Sequence, residues 1–369
     1  MAVNRIGFYV LCVLFLLAEP AQSESLPRRG LFVSMIQEPS VLARRADIDK
    51  LLDFAKKGRV NILFVQTYRA NQAYFPSRIA DPSPYRVSMK NISQDPLRLL
   101  IKEAHRAGIE VHAWLNMLSL GENKDAPLLK KYGTGILTRN AKRKKRLEDY
   151  EIDEQYFLEP GDMRVRKDLC DMVGEILVAY PELDGIEFDY VRYPDEKPFY
   201  GYTKTNITRF KGATGIKKIE EGDRAWKDWK RAQVTECMEL FALKARGIRP
   251  RIQISATGCM PYSRAYHEAF QDWPSWLDRG LLDFVTVMDY SPDPSEFNDW
   301  IAAARTKTKN FNKVNIGVGA YKLAGSPKIL EEEFRLAESS GGFACTIFHY
   351  GSLVKNPDLA NLFLRRQRS

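Results

Sequence analysis

Residues 183–194 read LDGIEFDYVRYP, an apolar run that carries two acids and finishes in Tyr, Arg, Tyr and Pro. Side chains alternate along a strand, so Gly185, Glu187 and Asp189 share one side while Ile186 and Phe188 share the other. Two carboxyls placed together without a lysine raise each other's pKa, which keeps one protonated while its neighbour stays ionised. That is the division of labour that acid/base or nucleophilic cleavage of a glycosidic bond requires. Asp189 is the first catalytic candidate, with either Glu187 or Asp289, the acid in LDFVTVMDYS (282–291), as its partner. The competing reading is structural: an ion pair between these acids and Arg192 or Arg69 that holds loops together.

Other apolar runs end in polar or aromatic groups as well. NILFVQTYR (61–69) supplies Gln66, Tyr68 and Arg69, and EVHAWLN (110–116) supplies His112, Trp114 and Asn116. Tyr290 follows Asp289, Tyr321 ends KVNIGVGAY, and His349 and Tyr350 stand in FACTIFHYGS. Any one of these residues alone reads as core or rim. Gathered at one mouth together with Arg192 and Tyr193 they describe a carbohydrate site, because planar rings stack on sugar faces while Asn, Gln and Arg bond hydroxyls. Rival chemistries lack their residues. The chain has only 4 histidines, with no H-x-H or H-E-x-x-H spacing, and neither a G-x-S-x-G turn nor a nicotinamide fingerprint is present. No metal or other cofactor is expected.

These residues need elements that bring strand ends together. Strand-like runs at 30–36, 61–69, 110–116, 184–190, 251–258, 282–291, 313–321 and 343–352 alternate with helix-like runs. Helices are predicted over 47–57, from Asp95 to Gly108, and over 163–180, 223–246, 294–307, 327–339 and 356–366, with a short one in WPSWLDRG. Such alternation implies a parallel sheet, and eight units in a chain of this length predict a (β/α)8 barrel. A doubly wound open sheet would more often carry a glycine-rich phosphate loop after its first strand, and SMIQEPS is none. The two longest insertions, 117–158 and 194–222, follow the third and fourth strands and so belong over the face where barrel active sites form.

The chain of 369 residues is 44% hydrophobic and 28% charged, which suits a large core and excludes a disordered composition. Its formal charge of +9 suits an anionic partner. The densest basic run, RNAKRKKR (139–146), is followed at once by LEDYEIDE, so it reads as a mixed-charge surface loop and no nucleic-acid partner is expected. At the N-terminus, Arg5 precedes an apolar run from Ile6 to Leu17, and Ala21 and Ser23 make a small-x-small cleavage pattern. Residues 1–23 therefore read as a removable signal peptide, which leaves one barrel domain over 24–369 in a secreted, periplasmic or extracellular protein. That run is too short to span a bilayer, which takes about 20 apolar residues, and no stable membrane span is expected. Cys170, Cys237, Cys259 and Cys345 have no zinc-ligand spacing, so zero, one or two disulfides are open, with Cys170–Cys237 the expected pair on oxidation. Asn91 and Asn206 begin sequons that matter only in a host that glycosylates secreted proteins. No sequence pattern sets the oligomeric state.

Six segments carry a resemblance: RGLFVSM, ILFVQTYRANQAYFPS, DPLRLLIKEAHRAGIEVHAWLN, LEPGDMRVRKDL, LDGIEFDYVRYP and WLDRGLLDFVTVMDY. In this order they resemble the bacterial glycosyl-hydrolase-like family ten, secreted (β/α)8 proteins, over nearly all of the chain from Arg29 to Leu353. The resemblance implies a barrel that acts on or binds polysaccharide. It matches Asp189 to the family's strand-four aspartate and Arg192 and Tyr193 to its R-Y-P ending. Gln66 and Arg69 match its strand-two polar pair, and Asn116 its strand-three asparagine. Members often have His where Glu187 stands and Gln where Met288 stands. The expectation is a glycoside hydrolase acting on a polysaccharide or cell-envelope glycan; the alternative is a barrel that binds carbohydrate without cleaving it.

Secreted material should begin near Glu24, and N-terminal sequencing checks this; a secreted chain that keeps Met1 contradicts the signal-peptide reading.

Overall fold

The computed structural model describes residues 28–36, 40–142, 144–220 and 222–365. The expected signal peptide lies outside the described residues. Eight parallel strands form the central layer: β1 (Arg28–Val33), β2 (Ile62–Arg69), β3 (Glu110–Asn116), β4 (Gly185–Asp189), β5 (Gln253–Cys259), β6 (Phe284–Asp289), β7 (Val314–Val318) and β8 (Ala344–Ile347). Each strand pairs in parallel with its sequence neighbours, and β1 pairs with both β2 and β8, which closes the sheet. The helices between strands are α1 (Arg45–Lys57), α2 (Pro96–Arg106), α3 (Met163–Ala179), α4 (Arg224–Ile248), α5 (Trp273–Asp278), α6 (Pro294–Arg305) and α7 (Pro327–Ser339), and α8 (Pro357–Arg365) follows β8. The expected (β/α)8 barrel is the observed one.

Local chemistry explains the helix boundaries. Asp95 caps α2 by accepting from the Arg98 N–H, Pro96 occupies the first turn, where no donor is needed, and Leu97, Leu100, Ile101 and Ala104 are buried. Asp162 caps α3 through the Arg164 N–H. Further helices, among them Ser83–Ile92 and Lys204–Thr214, lie in connections that the apolar spacing did not mark. The first buries only Ser88, so it carries no apolar stripe for a sequence reading to find.

Alternation sorts the strand side chains into two cores. Ile186, Phe188, Val285 and Val287 join the large apolar layer between sheet and helices. Phe32, Ile62, Phe64, Trp114 and Phe284 form a separate cluster inside the barrel. The interior also holds polar groups: Asn315 Nδ2 donates to Thr286 Oγ1 at 3.1 Å, and Thr346 Oγ1 donates to Asn315 Oδ1 at 2.9 Å. Gly185 is required where β3 and β4 approach, because a Cβ there would sit 2.3 Å from the His112 ring.

The two long connections are tied to each other. The first closes on itself, Ser119–Gly121 pairing antiparallel with Tyr156–Phe157, and it is joined to the second where the Arg139 carbonyl accepts from the N–H groups of Gly201 (3.1 Å) and Tyr202 (2.9 Å). Cys170, Cys237, Cys259 and Cys345 are free thiols. Among the described residues no helix is long and apolar enough to cross a membrane.

Gly185→Ala should lower the unfolding free energy by about 1–3 kcal/mol, the usual effect of overpacking a dense core, as a fall in the urea midpoint at unchanged slope.

Candidate active site

The C-terminal ends of the strands open on a cavity of about 670 Å³. Gln66, Arg69, Trp114, Asn116, Asp189, Arg192, Tyr290 and Tyr321 all line it, so most of the residues expected at the mouth do meet there.

Asp189 sits at the floor, 4% exposed, and its carboxylate accepts three hydrogen bonds. Trp114 Nε1 donates to Oδ2 at 3.0 Å, while Thr257 Oγ1 at 2.5 Å and the Tyr190 N–H at 2.7 Å donate to Oδ1. Three donors suit the ionised form and fix its orientation. The Tyr190 bond depends on backbone geometry: Tyr190 adopts φ +55°, a left-handed conformation that a bulky residue rarely takes, and this turns its N–H back onto the neighbouring carboxylate. Such strain is typical of functional sites. Among the described residues neither Asp189 nor Arg192 forms a salt bridge, so the structural ion-pair reading does not describe this carboxylate.

Arg192 is 8% exposed, lines the cavity, and lies 4.3 Å over the Tyr190 ring with its Nε unpartnered. A guanidinium so enclosed leaves a positive group available to a ligand. Arg69, Arg264, Lys322 and Lys355 line the same cavity. The cavity also holds an aromatic group: the Tyr290 ring lies 5.3 Å from Phe348 and 5.8 Å from Tyr321, and Tyr321 is 46% exposed. On the polar side Gln66 Nε2 donates to Asn116 Oδ1 at 3.1 Å, and its Oε1 accepts from the Met35 N–H at 3.0 Å. His349 also lines the cavity; burial first, and then the Lys355 charge, lowers its pKa, so its imidazole is neutral at pH 7.

Five expected site residues lie elsewhere. Tyr68 falls in the outer core because the β2–β3 register shifts between Gln66 and Tyr68; one extra residue reverses the alternation, so Gln66 and Arg69 reach the cavity and Tyr68 does not. Tyr193 is fully buried and donates from its hydroxyl to Glu159 Oε1 at 2.5 Å, a tie beneath the two long connections. Tyr350 belongs to a helix, Tyr350–Lys355, and packs 5.3 Å from the Phe54 ring. Asp289 follows Val285 and Val287 on the helix-facing side of β6, and Glu187, though inward, is buried below the cavity lining. The carboxylates that accompany Asp189 in the lining are Glu122 and Asp195. Asp195 Oδ2 lies 3.7 Å from Arg264 Nη2, its Oδ1 is unpartnered, and Glu122 is exposed. Glu122, Arg264, Trp300 and Lys322 stand in loops and helices where no strand alternation points to them; only Asp195, directly after R-Y-P, had a sequence signal.

Asp289 carries its own electrostatic consequence. Both its oxygens and both those of Glu333 on α7 are buried without hydrogen-bond partners. Burial first, and then the charge of Glu333, pushes Asp289 up to about 9; burial, and then Glu332, pushes Glu333 up to about 8. Burial thus favours the neutral form of both carboxyls. Among the described residues no three of His, Cys, Asp and Glu converge as a metal site.

The family model described as glycosyl hydrolase-like 10 matches residues 29–332. Glycosyl hydrolase DigH of Escherichia coli strain K12 is 23% identical over 355 residues, spanning 85% of this chain and 78% of the relative. Glycosyl hydrolase YngK of Bacillus subtilis strain 168 is 22% identical over 271 residues, 68% of this chain and 50% of the relative. Among solved structures, a catalytic mutant of Gan42B, a GH42 β-galactosidase from G. stearothermophilus, superposes with a TM-score of 0.60 at 11% identity. The match covers 92% of this chain but only 57% of that one, and at such identity it speaks for the fold alone.

Asp289 and Glu333 hold protons in the folded chain that the unfolded chain releases near pH 4, so their contribution to stability is lost as pH rises toward 8–9. Asp289→Asn should therefore gain on the parent by about 1.4 kcal/mol for each pH unit between pH 5 and pH 9, read from urea unfolding across that range. A constant difference across that range contradicts the assignment.

Proposed function

The chain belongs to the glycosyl hydrolase-like 10 family, and from that premise we propose that it is a glycoside hydrolase acting on a polysaccharide or cell-envelope glycan, with Asp189 as its central carboxylate. The observation that carries this reading is the Asp189 carboxylate held by three donors at the floor of a cavity walled by aromatic and amide side chains. Cleavage needs an anion beneath the anomeric carbon, as nucleophile or as base for a water, and a proton for the departing oxygen. Asp189 takes the first role. Asp195 and Glu122, which line the cavity, can reach a bound glycan, whereas the buried Glu187 and Asp289 cannot.

The walls suggest the kind of sugar. Tyr290, Tyr321 and Phe348 offer ring faces for stacking on a pyranose. Arg69 and Arg192 offer fork-shaped donors for hydroxyls, or for an anionic substituent on the glycan. In this reading the protein is exported, with residues 1–23 removed and one barrel domain remaining.

Digestion of a polysaccharide panel by the mature protein is the first experiment. Asp189→Asn should keep the fold and glycan binding while cleavage falls on the order of 10³–10⁴-fold, the scale seen when a catalytic carboxylate is removed. Wild-type turnover in this variant on a substrate the parent cleaves would falsify the assignment. Binding without cleavage by the parent across the panel would instead favour the non-catalytic carbohydrate-binding barrel.

A further inference from the structure

Glu187 is fully buried inside the barrel, one pleat beneath Asp189 on β4 and outside the cavity lining. Neither of its oxygens completes a hydrogen bond. The hydroxyls of Ser255 on β5 and Thr286 on β6 lie beside it, and both have other bonds: Ser255 Oγ donates to the Ile186 carbonyl at 3.3 Å, and Thr286 Oγ1 accepts from Asn315 Nδ2 at 3.1 Å. The titratable groups around it are Asp189 on its own strand, the Tyr290 phenol after β6, and the His112 imidazole of β3, which packs against Gly185 one pleat further down. Among the described residues no lysine or arginine forms an ion pair with it. A carboxylate in this place would be an uncompensated buried charge next to the Asp189 anion; a carboxylic acid is tolerated.

We propose that Glu187 is a positioning residue for Asp189: as an uncharged acid it preserves the floor that orients the Asp189 carboxylate, and as an anion it disrupts that floor and sets the alkaline limit of the site. The inference rests on Asp189 being the working carboxylate. Burial first, partly offset by the neighbouring Ser255 and Thr286 hydroxyls and reinforced by the Asp189 charge, holds the Glu187 carboxyl up at about 8. The proton is therefore retained in the folded state from the ordinary glutamate range to about pH 8, and the stability that goes with it is lost as pH rises through that window.

Two measurements test this, and only one needs turnover. In protein labelled with carbon-13 at the glutamate carboxyl, the resonance missing from Glu187→Gln should titrate near pH 8 and move to lower pH in Asp189→Asn, since removing the neighbouring charge removes part of the upward push. If Glu187→Gln does not fold, Glu187→Asp assigns the resonance by its disappearance. A midpoint near 4, or one indifferent to Asp189→Asn, overturns the proposal. On a glycan the parent cleaves, the parent's kcat/KM should fall about tenfold per pH unit above pH 8, and Glu187→Gln should lose that alkaline limb; the shape of the profile, not its plateau, is the readout. A limb that persists in Glu187→Gln also overturns it. If the parent cleaves no glycan, the hydrolase reading fails and the titration alone decides the inference.

Discussion

Three donors from three places in the chain converge on one carboxylate, and the mouth of the barrel is organised around that convergence. Trp114 comes from β3, Thr257 from β5, and the Tyr190 N–H from the residue that follows β4. Parallel pairing sets Asn116 beside Asp189 and Glu187 beside Ser255, so the donors arrive only when all three strands hold their register. A slip of one residue would turn Asp189 toward the helices and leave the indole N–H and the threonine hydroxyl without an acceptor. The closed sheet makes such a slip expensive, since no edge strand is free to move.

The interior below this point is unlike an ordinary barrel core. Branched apolar side chains usually fill it, whereas here the layer beneath the cavity carries Glu187, Ser255, Thr286, Asn315 and Thr346, partly joined by hydrogen bonds. Aromatic rings fill the remaining space: Phe32 and Phe64 stack at 4.7 Å, and Trp114 meets Phe32 edge-on at 5.0 Å. Trp114 thus belongs to the core by its ring and to the site by its N–H. This links packing to chemistry, because any change that lets the ring move also releases Asp189 Oδ2.

Above the floor the cavity mixes two kinds of lining. Arg192, stacked on Tyr190, and Arg69 supply cations, and Tyr290, Tyr321 and Phe348 supply aromatic rings. A sugar has apolar faces and a polar rim, so groups of these two kinds can hold it in one orientation over the carboxylate. The strained backbone at Tyr190 serves floor and lining at once: it aims an N–H at Asp189 and sets the ring that supports Arg192.

The sequence by itself determined the barrel, because the periods of strands and helices and their strict alternation are written in local residue order, and it determined that Glu187 and Asp189 share one face, because alternation within one strand is local too. It also marked Gln66, Arg69, Trp114, Asn116, Arg192, Tyr290 and Tyr321, all of which line the cavity. Tyr68 was misplaced by a register shift in the β2–β3 pair, which no single strand reveals. Asp289 shows a different limit: its strand was correctly located, but which of its two faces looks inward depends on where the strand enters the barrel. Tyr193 and Tyr350 lie where the chain has already left its strand, so alternation no longer governs them. Depth was beyond the sequence as well, for Glu187 and Asp189 share a face and differ by one pleat, yet one is sealed in the core and the other opens on the cavity. Only the tertiary structure decided these points, since register, entry angle and depth arise from contacts between segments far apart in the chain.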